Sequence, residues 1–122
     1  MDNILKINIL DLNRSRDDEG YIYWQGKLFT GVEEDYYDNG LLGEEIEYVN
    51  GIPDGWSRWW HKNGQLGGEY FYKEGCIHGD VREWYESGQI KIEEEIYNGI
   101  AIRTKEWDEK GNLILNINET SK

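Results

Sequence analysis

Cysteine, proline and methionine each occur once in the 122 residues, and histidine twice. A lone Cys76 excludes an intramolecular disulfide framework. His61 and His78 are the only histidines, with no His-x-x-His or paired-Cys spacing around them, so no zinc site can be read from the chain. No Gly-x-Ser-x-Gly elbow is present for a nucleophile. Carboxylate pairs at glycosidase distances arise by chance on so acidic a surface and have no weight. The expectation is a non-enzyme with no cofactor and no metal. Apolar runs fall far short of the ~18 residues that span a bilayer. The start Met1-Asp-Asn-Ile-Leu-Lys-Ile7 lacks the basic and long apolar regions of a signal peptide, so a soluble, cytoplasmic protein is expected. Cations are scarce as well: 13 Lys and Arg stand against 25 Asp and Glu, a net charge of −12. Such a chain repels phosphate backbones and anionic headgroups, which leaves nucleic acid and membranes out and favours a basic protein partner. A monomer is the expected state.

Aromatics are plentiful, with six Trp, nine Tyr and two Phe, and so rich a supply argues for a folded chain rather than a disordered one. The length fits one domain. Fifteen glycines beside one proline resolve into a repeat. Gly31, Gly55 and Gly79 are spaced by 24, as are Gly40, Gly64 and Gly88, with Gly111 following after 23; Gly51, Gly75 and Gly99 form a third series at 24. An aromatic column at Tyr36, Trp60, Trp84 and Trp107 and an apolar one at Leu42, Leu66, Ile90 and Leu113 keep the same register. Within each unit, alternating residues are separated by Asn-Gly, Ser-Gly or Lys-Gly, which supply the positive φ of tight turns. Each unit reads as a β-hairpin, and Asn50-Gly51, Glu74-Gly75 and Asn98-Gly99 turn the chain into the next.

The fold expected is therefore all-β: an antiparallel sheet of stacked β-hairpins from about four repeats, one domain over residues 1–122 with a strand cap at 1–24, repeats over about 25–118 and a tail at 119–122. The cap comprises Ile4, Ile7, Ile9 and Leu12 followed by Tyr21 to Trp24, joined by a polar loop at Asn13 to Gly20. Strand alternation places Leu42, Ile46 and Tyr48, and their equivalents in later units, on the buried face together with the column at 36, 60, 84 and 107. The opposite face then carries Glu45, Glu47, Glu69, Glu93 and Glu95. Arg58, Arg82 and Lys105 recur in register opposite Glu34 and can pair with these acids in a cross-strand ladder.

The stretches Tyr37-Asp-Asn-Gly-Leu-Leu-Gly-Glu-Glu-Ile-Glu-Tyr48, Trp59-Trp-His-Lys-Asn-Gly-Gln-Leu66 and Trp84-Tyr-Glu-Ser-Gly-Gln-Ile90 resemble the MORN-repeat variant of YwqK-type antitoxin and immunity proteins, over roughly residues 21–117. The resemblance implies a hairpin-repeat fold and carries no catalytic motif. The fourth unit departs from the pattern, with Ile102-Arg103 where the others end in Gly.

Two features point to partner binding. From Leu28 to Ser57 there are eight acids (Glu33, Glu34, Asp35, Asp38, Glu44, Glu45, Glu47, Asp54) and no Lys or Arg, a one-sided cluster able to steer a basic partner. Trp59 and Trp60 are adjacent, so a strand sends them to opposite faces; with Trp60 in the aromatic column, Trp59 joins Tyr37, His61, Glu83 and Tyr85 on the exposed side, the composition of a binding hot spot. Together with the resemblance, this implies an immunity or antitoxin protein that binds a cognate basic bacterial toxin domain and neutralises it stoichiometrically. A nuclease suits that role because its cleft is basic. The alternatives are a carbohydrate- or other ligand-binding module, in which Trp59, Tyr37 and Tyr85 stack on sugar rings, and a structural interaction scaffold.

Overall fold

The computed structural model describes residues 4–118; the expected tail at 119–122 lies outside them. The thirteen strands are β1 (Lys6–Asn8), β2 (Arg14–Arg16), β3 (Ile22–Trp24), β4 (Lys27–Leu28), β5 (Gly31–Tyr36), β6 (Leu42–Val49), β7 (Ile52–Trp60), β8 (Leu66–Lys73), β9 (Cys76–Ile77), β10 (Gly79–Trp84), β11 (Ile90–Tyr97), β12 (Ile100–Trp107) and β13 (Leu113–Asn118). All but β2, β3 and β4 form one large sheet. Its order is β1-β5-β6-β7-β8-β10-β11-β12-β13, with β9 paired to β8, and it is antiparallel except where β1 joins β5 in parallel.

The turns follow from local chemistry. Asn50 and Gly51 have φ of 50° and 84°, and Glu74-Gly75 and Asn98-Gly99 repeat the pair, so the two-residue links are type I′ turns whose twist suits the flanking strands. The longer loops close on their own side chains: Asn39 Oδ1 accepts from Leu41 N and Asn63 Oδ1 from Gln65 N. The β11–β12 hairpin forms despite Ile102-Arg103. Glu95 opposes Arg103 and Ile96 opposes Ala101, leaving Ile102 as an extra residue that absorbs the irregularity.

A β-bulge after each long loop changes which residues share a face. Asp35 opposes Glu44 but Tyr36 opposes Leu42, leaving Gly43 unpaired, and the same shift recurs at Trp59/Trp60, Glu83/Trp84 and Glu106/Trp107. The extra residue inverts the alternation. Leu42, Leu66, Ile90 and Leu113 therefore do not lie beside Ile46 and Tyr48 as strict alternation predicts; they lie with Tyr36, Trp60, Trp84 and Trp107 on the opposite face. That stripe is not buried either: the three tryptophans are half-exposed and Tyr36 is exposed.

The same face carries the ion-pair ladder, and we call it the ladder face. Arg58 reaches Glu69 at 2.8 Å and Glu45 at 3.9 Å, Arg82 reaches Glu93 at 3.5 Å, Arg103 reaches Glu95 at 2.6 Å, and Lys6 reaches Glu34 at 3.8 Å. Each exposed pair adds under about 1 kcal/mol; their larger effect is to offset repulsion between acids aligned on neighbouring strands.

The other side is the cap face. Over the first hairpin it is covered by a second, three-stranded sheet, β2-β3-β4. Ile22 and Phe29 are fully buried against Ile7 and Tyr48, with Trp24 and Ile46 packed at the margin. Backbone bonds lock the layers: Gly51 N donates to Phe29 O and Ile22 N donates to Gly51 O. Two expectations for the cap are corrected. Arg14–Arg16 is a strand within the stretch expected to be loop, because Arg14 must face Glu33; Ile4 and Leu12 are 59% and 100% exposed, outside the core.

Candidate functional site

The acids that form one run in the sequence are divided by the fold. Glu33 is 4% exposed, and its carboxylate meets Arg14 Nε at 2.5 Å, so it is a buried cap contact and not a steering charge. Glu34 and Glu45 are half-buried on the ladder face, paired with Lys6 and Arg58. Glu47 Oε1 accepts from Trp56 N. Their cations come from outside the Leu28–Ser57 stretch. Asp38 stays exposed in its loop, and Asp35 remains on the cap face.

Tyr37, His61 and Tyr85, expected on an exposed binding face, are also reassigned. Tyr37 Oη donates to Trp60 O at 2.5 Å, His61 Nε2 lies 2.8 Å from Trp84 O, and Tyr85 Oη donates to Trp107 O at 2.8 Å. A carbonyl can only accept, so His61 carries its proton on Nε2. These side chains brace each hairpin against the next, and Asn39 and Asn63 add parallel bonds to Lys62 O and Glu86 O. In the fourth unit Asp108 takes the place of Tyr37, His61 and Tyr85 and turns inward. Asp108 Oδ1 accepts from Lys110 N and Asn112 N, and the Asn112 backbone N–H, aided by the other local donors, holds its carboxyl below the usual range. As braces, Tyr37, His61 and Tyr85 are not free anchors for a partner or a sugar ring.

Trp59 is half-buried on the cap face, past the edge of the cap. Its indole lies against Gly67 and Gly68, where an added Cβ would sit 2.4 Å and 2.2 Å from ring atoms, so only glycine lets it lie flat. Trp59 Nε1 donates to Tyr70 Oη at 3.1 Å, and Tyr70 Oη donates to Glu83 Oε2 at 2.7 Å. Burial, with that bond to Glu83, pushes the Tyr70 hydroxyl up to about 12. Next to Trp59 a shallow notch is lined by Asp35, Tyr36, Tyr37, Gly43 and Glu44; desolvation, then the charges of Asp35 and Glu33, raise the Glu44 carboxyl.

The register places Asp35, Glu44, Trp59, Gly68, Glu83, Ile92, Glu106 and Leu115 in one row of the cap face, and Val81, Glu94, Thr104 and Ile117 in the next. Glu83 and Glu94 receive neutral hydroxyls, from Tyr70 and Thr104, in place of cations. Arg58, Arg82, Arg103 and Lys105 all project to the ladder face. Among the described residues, the one strand cation on the cap face of the repeats is Lys91, an extra bulge residue held 5.5 Å over the Tyr85 ring at the loop end. The fold thus sorts charge: acids paired with cations on one side, acids without such pairs mixed with Trp59, Tyr70, Ile92 and Leu115 on the other. Of the residues singled out in the sequence, Asp35, Glu44, Trp59 and Glu83 share this row. The face of Tyr70 and Glu94 is not legible from strict alternation, because the bulge residues that set it, Gly67 and Lys91, share no residue type. No group of three or more His, Cys, Asp or Glu able to hold a metal ion occurs among the described residues, and no helix there is long and apolar enough to cross a membrane.

The chain is a repeat module built of stacked hairpins, and the profile of the MORN repeat variant matches residues 77–98, from the end of β9 through β11. Neither a curated protein nor a solved structure matches the chain.

Proposed function

We propose that this chain is a protein-binding inhibitor, an immunity or antitoxin protein that neutralises a cognate basic toxin domain by occupying its active site or its path to substrate. The observation that carries this reading is the sorting of charge between faces: among the described residues no cation pairs with Asp35, Glu44, Glu83, Glu94 or Glu106 on the cap face outside the cap contact, and a basic protein surface supplies them. Long-range attraction from a −12 chain speeds encounter, and Trp59, half-buried among acids, is suited to anchor the complex. No catalytic group takes part; inhibition is by occupancy. Nucleases suit the role because their substrate clefts are basic.

The test is co-expression with the protein encoded by the neighbouring reading frame. A toxic neighbour whose effect is relieved, together with a stoichiometric complex by light scattering, is the expected result. Unrelieved toxicity, or no complex, overturns the reading. Asp35→Lys with Glu83→Lys should slow association at low salt, and unchanged kinetics would remove the electrostatic part.

A further inference from the structure

The cap shows how an element docks on this sheet. It brings apolar side chains, Ile22 and Phe29, onto Tyr48 and the margin of Ile46, and it brings Arg14 onto Glu33, an acid of the same face. In the register of the repeats, Tyr70 and Glu94 occupy the Ile46 position in later units, and Ile92 and Leu115 the Glu44 position, flanked by Glu83 and Glu106. The cap stops at the first hairpin. From Trp59 onward the face keeps the mixture the cap requires, apolar side chains interleaved with acids along each row, and no described strand covers it.

We infer that the cap face of the last two hairpins, centred on Ile92, Glu94 and Glu106, is the docking surface, and that its occupant is a partner segment of alternating apolar and arginine or lysine side chains, seated as the cap is seated on the first hairpin. This rests on the proposed role as a binder of basic proteins and adds where and how the contact is made. A second copy of the chain is a poor occupant, since it brings the same −12 charge to the same acids. The ladder face is a poor alternative, since Arg58, Arg82 and Arg103 already pair with Glu45, Glu69, Glu93 and Glu95 there.

The test uses the whole chain and a synthetic peptide alternating arginine with phenylalanine. Two double variants remove the same charge from opposite faces: Glu94→Gln with Glu106→Gln, and Glu93→Gln with Glu95→Gln. Residues 93 to 95 alternate across the sheet, so long-range attraction is almost equal in the two. The expected result is peptide binding with NMR shifts at Ile92, Leu115 and the Trp59 indole N–H, a roughly tenfold rise in Kd for the first pair, and less than about a twofold change for the second. Equal losses, a larger loss from the second pair, or no binding to the parent chain would overturn the inference. A peptide that binds as expected beside a toxin that is not neutralised would leave this surface standing and remove the toxin role alone.

Discussion

Replacing Arg14 by methionine keeps a side chain of similar reach under the cap but removes the charge that faces Glu33. The two side chains are 15% and 5% exposed, and among the described residues the other Glu33 oxygen receives only the Tyr48 hydroxyl, at 3.4 Å. Without Arg14 a carboxylate is left buried with one long hydrogen bond, a change that costs about 3–5 kcal/mol. Against a total stability of about 5–15 kcal/mol for an ordinary domain, that is a large fraction. Arg14→Met with Glu33→Leu removes both desolvation costs along with the attraction, and puts two apolar groups beside Ile7, Ile22, Phe29 and Tyr48. The double variant should fall within about 1 kcal/mol of the parent, a coupling of at least about 2 kcal/mol in the cycle. Urea titration followed by tryptophan fluorescence measures this, with the slope checked for separate loosening of the cap. Hydrogen exchange at the Phe29 amide, bonded to Ile22 O, reports the cap directly. A cost below about 1 kcal/mol for Arg14→Met, or strict additivity of the two changes, would refute the account of Glu33 as a buried cap contact.

Other outcomes follow from single contacts. Gly51→Ala should destabilise the fold by about 2 kcal/mol or more and Gly99→Ala by only about 1 kcal/mol: both have positive φ, but a Cβ at Gly51 meets Leu28 Cδ2 at 2.8 Å and Ile22 O at 3.0 Å, whereas at Gly99 nothing lies within 4 Å. Tyr85→Phe, which takes one inter-hairpin bond from Trp107 O, should cost about 1 kcal/mol and speed exchange in β12 and β13 before the cap is affected. Gly68→Ala should displace the Trp59 indole, giving a red-shifted emission that Trp59→Phe abolishes; unchanged emission would contradict the flat packing. Burial raises the Tyr48 and Tyr70 hydroxyls to about 12, with nearby Glu33 and Glu83 adding to the shift. Because the unfolded hydroxyls ionise near about 10, their contribution is complete below that pH and is lost as pH rises from about 10 to about 12. Stability measured alongside tyrosinate absorbance checks the sign.

The braces give the repeat its mechanics. Each hairpin holds the next through one or two side chains reaching backbone carbonyls about one repeat further on, so neighbouring units are coupled. Asp108 ends that series by bonding within its own loop. These structural duties leave the cap face beyond the first hairpin uncovered, where acids and Trp59 remain after the cap and the ladder have taken theirs.

Much of the fold is legible in the residues. Three glycine series at one period announce hairpins, Asn-Gly pairs set the tight turns, and aromatic columns set the register. The cross-strand ladder is likewise readable, because Arg58 and Arg82 keep step with Glu45, Glu69 and Glu93. The site is less so. Strict alternation puts Leu42 beside Ile46, and the bulge at Gly43 puts them on opposite sides. The acids from Glu33 to Asp54 look like one cluster, and the fold divides them among Arg14, Lys6, Arg58 and the solvent.

The sequence by itself determined the hairpins, their period and the turns between them, because turn conformation and side-chain alternation depend on residues within a few positions of one another. Only the tertiary structure decided which face each column occupies and which acids keep their charge unopposed. A bulge transmits its inversion along the strand beyond it, and neutralisation depends on cations such as Arg14 that come from a distant segment and meet their partners only when the cap closes over the sheet.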